Sequence, residues 1–79
     1  MWWFFSKQSE TDGTVLYAYS RESRELDGML AINQHTQAIE VVHPCARDAG
    51  SSFAISKVVE KAYRLIAKDY PSQIQIACG

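Results

Sequence analysis

The side chains best suited to chemistry in this sequence cluster around His43, Pro44 and Cys45, ahead of Asp48-Ala49-Gly50-Ser51-Ser52. A thiol at a strand end, facing the positive pole of a following helix, is a sensible place for a nucleophile of lowered pKa. His43 would serve as its base, and the Ser51 and Ser52 amides as an anion site. A phosphate-cleaving thiol loop also needs a guanidinium six residues after the cysteine; Ser51 stands there, and Arg47 is the only guanidinium in the loop. The thiol or anion-binding enzyme centred on Cys45 is therefore the alternative reading, and no catalytic residue is assigned.

The same residues bear on metals. Cys45, Cys78 and His43 are ligand types that zinc accepts. They come together only if the strands ending at Cys45 and Cys78 are neighbours, which would also allow a disulfide. No CxxC or paired spacing is present, and His35 falls in a turn. The expectation is no metal and no cofactor. The 48–52 loop lacks the glycine spacing of a nucleotide-binding loop, so capping of a helix is its simpler role.

Aromatic residues carry the leading reading. Met1 is followed by Trp2-Trp3-Phe4-Phe5. On a strand, Trp2 and Phe4 point to one face, and Trp3 and Phe5 to the other. One helix covers one face, so the other is expected to meet a second copy or a partner. Trp2, Trp3, Phe5, Tyr17 and Tyr19 are the expected interface anchors. Single-stranded nucleic acid could stack on such rings, but the net charge is −1 and no basic field surrounds them.

These residues must be positioned by strands first and a helix late. Residues 2–8 read as a strand, followed by the hairpin signal Asp12-Gly13. A second strand spans about 14–20, with Val15, Tyr17 and Tyr19 on one face. Residues 20–25 read as a solvated charge run. Asp27-Gly28 is taken as another turn of the same type. Strands at about 28–33 and 38–43 follow, and Pro44 stops the second. Ile55, Val58, Val59, Ala62, Leu65 and Ile66 form an apolar stripe within a helix over about 51–70, ended by Pro71. Alternation at 73–78 gives a last strand with Ile74, Ile76 and Cys78 inward. If it pairs in parallel with the fourth strand, the helix is their crossover.

The 79 residues make one domain with a modest core, and 47% hydrophobic content excludes a disordered chain. The fold class is α+β, in β-β-β-β-α-β order, with an antiparallel-rich sheet of about five strands and one helix on one face. The aromatic start lacks a signal peptide's basic region and length, and no apolar run approaches the ~20 residues of a membrane span. Starting at Met1 without a tag, the chain is expected to be a complete gene product. Two cysteines imply reduced thiols and a cytoplasmic setting. The expected function is a small non-enzymatic interaction protein, a homodimer that also binds another macromolecule.

Overall fold

The structure, a computed structural model, describes residues 1–77. Its elements are β1 (Trp2–Thr11), β2 (Thr14–Arg21), β3 (Gly28–Asn33), β4 (Ile39–His43), α1 (Ser52–Ala67) and β5 (Gln73–Ala77). The strands form one five-stranded sheet in the order β4-β3-β2-β1-β5, and every neighbouring pair is antiparallel. This is the α+β class and element order that the hydrophobic periodicities predict.

The β1–β2 hairpin closes on Asp12 (φ 53°) and Gly13 (φ 76°), which supply the two positive φ angles of a primed turn. The tightness of that turn lets pairing continue to Thr11↔Thr14, so β1 runs three residues past its expected end. The ladder shifts register between Lys7 and Ser9.

Asp27-Gly28 is not the second hairpin turn. Positive φ falls on Glu22 instead (55°), and Gly28 opens β3. A Cβ at Gly28 would lie 2.5 Å from Tyr19 Cε1 and 2.9 Å from the Cys45 backbone nitrogen. Glycine here makes room for the Tyr19 ring. In the β3–β4 turn, Asn33 Oδ1 accepts the N–H groups of His35 and Thr36 at 2.9 and 3.1 Å, and β4 begins one residue late, at Ile39.

The last strand departs most from expectation. β5 does not lie beside β4; it pairs antiparallel with β1, at the opposite edge of the sheet. Trp3 faces Ile76 and Phe5 faces Ile74 in that ladder. Aromatic and β-branched side chains on directly opposed residues stabilise such a pair, and both isoleucines alternate in step with the aromatics. The 16-residue helix is ~24 Å long and the four strand spacings total ~19 Å. It can therefore carry the chain from one edge to the other.

Ser51 caps α1, its hydroxyl accepting the Ala54 N–H at 3.2 Å. The helix ends at Ala67, three residues before the expected stop. Asp69 turns left-handed (φ 60°), and the Tyr70 N–H returns to the Leu65 carbonyl at 2.8 Å while Asp69 N–H bonds Ile66. This is a Schellman closure built without glycine. Tyr70 then packs against the core.

Val58, Ala62 and Leu65 of α1 are buried with Trp3, Phe5, Val15, Tyr17, Tyr19, Leu30, Ile32 and Ile76 in one core. All of the strand residues in this set share one sheet face. Among the described residues, no helix lies on the opposite face.

Candidate functional site

The register sorts the aromatic start cleanly. Trp3 and Phe5 point under α1, and Trp2 and Phe4 lie on the other face, only partly buried. Of the expected anchors, Trp3, Phe5, Tyr17 and Tyr19 have 0% exposure in the single chain. They are core residues and present nothing to a partner, which corrects their assignment as interface anchors. The reason is packing: Val15, Tyr17 and Tyr19 fall opposite Ile32, Leu30 and Gly28, and this larger apolar set takes the helix. Only Trp2 of the five remains on the uncovered face.

That face is built from three adjacent strands. β1 contributes Trp2 and Phe4, β2 contributes Leu16 and Ala18, and β3 contributes Met29 and Ala31, with Leu16 opposite Ala31 and Ala18 opposite Met29. Among and around them stand the uncharged Ser6, Ser9, Thr14, Ser20, Asn33, Gln73 and Gln75, and the carboxylate of Glu40 opposite Ala31. The guanidinium of Arg24 lies 5.8 Å from the centroid of the Phe4 ring, a cation–π contact from the β2–β3 loop. A shallow depression of about 270 Å³, lined by Thr14, Ala31, Asn33, Ala38 and Glu40, marks one end.

The Cys45 region is organised differently from a nucleophile site. Cys45 is a free thiol, buried to 1% exposure. Its backbone N–H donates to the Tyr19 hydroxyl at 3.0 Å, and the Ala46 N–H donates to Asp27 Oδ2 at 3.0 Å. Burial pushes the thiol pKa up, and the charge of Asp48 adds to the rise. A reactive thiolate needs the opposite shift and an open approach. His43 is exposed, so the two residues do not share an environment.

The strands that would have brought Cys45 and Cys78 together lie at opposite sheet edges, and Cys78 itself is outside the described residues. Among the described residues, no group of three His, Cys, Asp or Glu side chains is placed to hold a metal. Ser51 is engaged as the helix cap.

The loop's organising contact is an ion pair that the charge pattern did not suggest. Arg21 Nε donates to Asp48 Oδ1, and Arg21 Nη2 donates to the Arg47 carbonyl at 2.9 Å. Asp48 is fully buried, and its Oδ2 has no hydrogen-bond partner among the described residues. Trp3 Nε1 is likewise buried without a partner among the described residues. Beside it, Met1, Arg21, Phe53 and Lys57 help line a cleft of about 200 Å³ at the start of α1. A signal for Arg21 was present: it continues the period-two series Val15, Tyr17, Tyr19 onto the covered face.

The fold and this face define a two-layer, open-faced α+β domain. No family model matches the chain, and neither curated proteins nor solved structures give a match.

Proposed function

We propose that this chain is a non-enzymatic interaction protein that binds another protein through the sheet face opposite α1. The observation that carries the reading is the composition of that face: Trp2, Phe4, Leu16, Ala18, Met29 and Ala31 on three adjacent strands, with Ser6, Ser9 and Ser20 set among them and a single carboxylate, Glu40, opposite Ala31. Tryptophan, phenylalanine and methionine are enriched at the centres of protein interfaces, and charges are depleted there. Nucleic acid fits less well, since among the described residues Arg24 is the only cation in contact with an aromatic ring of the patch. The buried Cys45 thiol gives an enzyme reading no support.

Among the described residues, no helix is long and apolar enough to cross a membrane. A free thiol suits a reducing compartment, and the cytoplasm is the proposed setting.

The test is position-dependent cross-linking in the protein's native cells, followed by reconstitution with the purified partner. A photo-reactive residue at Leu16 should give a discrete adduct, and the same residue at the exposed helix position Ser56 should not. Ala31→Arg should abolish both the adduct and the reconstituted binding. Equal adducts from Leu16 and Ser56, or binding indifferent to Ala31→Arg, reject the reading.

A further inference from the structure

The two edges of the sheet are defended unequally. β4 carries Glu40, has a register irregularity against β3 between Met29 and Leu30, and runs into Pro44. Charges, bulges and prolines are the usual means of stopping an edge from recruiting another strand. β5 carries no charge and no bulge, and its nearest proline, Pro71, is separated from it by Ser72. The strand reads Gln73-Ile74-Gln75-Ile76-Ala77. Among the described residues, no backbone hydrogen bond outside the β1 ladder engages Gln73–Ala77. Alternate N–H and C=O groups along this strand therefore point outward unpaired.

The strand is also complementary to itself. Paired antiparallel with a second copy about Gln75, it sets Gln75 against Gln75, Ile74 against Ile76, and Gln73 against Ala77. Residues directly opposed in such a ladder share a face. Each isoleucine then meets an isoleucine on the helix side, where Ile76 is already buried and Ile74 packs against the core. No charge opposes a like charge. The matching register on β4, centred on Val41, would set Glu40 against Val42 and His43 against Ile39, so each polar side chain would oppose an apolar one.

We propose that β5 is a strand-addition site whose occupant is β5 of a second copy of this chain. The product is a ten-stranded antiparallel sheet with a two-fold axis through Gln75, normal to the sheet. Both helices lie on one side, and both open faces on the other. The inference stands on the edge and is independent of what binds the open face.

Light scattering and sedimentation of the full chain test it. At about 10–100 µM the chain should be a dimer. Gln75→Lys and Gln75→Glu each place like charges together at the axis and should each weaken the dimer about five-fold or more. Mixed in equal amounts, the two should re-associate as a heterodimer. In a Cys78→Ser background, Gln75→Cys should form an intermolecular disulfide under mild oxidation, because opposed Cα atoms lie within disulfide reach. Gln73→Cys should not, since its own counterpart is four residues away along the ladder. A monomer throughout that range overturns the proposal, as does equal cross-linking from positions 73 and 75. A dimer dispersed by Leu16→Glu but untouched by both Gln75 variants would place the contact on the open face and also overturn it.

Discussion

Arg21 and Asp48 are 27 residues apart in sequence and share a hydrogen-bonded ion pair at the edge of the core. The pair ties the end of β2 to the loop entering α1, and Arg21 also binds the Arg47 carbonyl at 2.9 Å. Asp48 is fully buried, so removing its partner strands a charge. Arg21→Ala is expected to destabilise the fold by about 3–5 kcal/mol, measured by chemical denaturation. The double change Arg21→Leu, Asp48→Leu should cost less than Arg21→Ala alone, because no charge is left uncompensated. A cost below about 1 kcal/mol for Arg21→Ala would show that the pair contributes as little as an exposed one.

The two core tyrosines make stability fall at high pH. Burial pushes both phenols from the ordinary value of 10.0 to about 12. Tyr17 donates to the Pro71 carbonyl at 2.7 Å, and Tyr19 accepts the Cys45 N–H at 3.0 Å. As pH rises past 10, the unfolded chain loses phenolic protons that the native chain keeps. The native state then binds more protons, and stability declines with pH. The contribution is intact below about pH 10 and lost through about pH 12, on the order of 2–3 kcal/mol for each tyrosine. Tyr17→Phe should lower stability at neutral pH by about 1–2 kcal/mol and flatten the alkaline decline. Denaturation series at stepped pH would show this, and a level wild-type profile from about pH 10 to 12 would refute it.

Cys45 should behave as a structural thiol. Its burial and raised pKa both suppress the thiolate. In a Cys78→Ser background, modification by a disulfide reagent should run about 10²–10⁴-fold slower than in the unfolded chain, the protection a small core of about 3–5 kcal/mol allows. Reaction at the unfolded rate near neutral pH would restore the thiol as a candidate nucleophile.

Gly28→Ala should be one of the most damaging small changes available. The added methyl would sit 2.5 and 2.7 Å from Tyr19 Cε1 and Cζ, and 2.9 Å from the Cys45 nitrogen. Both neighbours belong to the same hydrogen bond, so the Tyr19 ring cannot move without releasing the Cys45 N–H. A loss of about 2–3 kcal/mol is expected by thermal or chemical denaturation. Gly13→Ala meets only the movable His35 ring, so its cost is the left-handed backbone, about 1 kcal/mol.

The elements were legible because each carries its own periodicity. The α1 stripe and the Asp12-Gly13 hairpin are local signals, and both are where the residues put them. What depends on distant pairing was not legible. β1 is aromatic on both faces, so its own sequence cannot say which face the helix covers; Tyr17, Tyr19, Leu30 and Ile32 decide it from neighbouring strands. The place of β5 rests on Ile74 and Ile76 matching Phe5 and Trp3 across about 70 residues of chain. Arg21 was hidden because a charged run looks solvated until the alternation from Val15 is carried one step further. Gly28 was hidden because a glycine beside Asp27 reads as a turn, and its use here is space.

If the open face is a surface for binding and not a second core, substitutions there should be cheap for folding. Leu16 and Leu30 lie on adjacent strands, on opposite faces, and only Leu30 is fully buried. Leu30→Thr leaves a cavity beneath α1 and sets a hydroxyl in the core, with an expected loss of about 2–4 kcal/mol. Leu16→Thr keeps a strand-forming residue at a partly exposed position on the face away from α1, and should cost less than about 1 kcal/mol. The comparison separates folding from binding without a known partner, because both variants are read by denaturation of the isolated protein. Comparable losses at the two positions would mean that the open face is already shielded in solution, and it could not then serve as the docking surface.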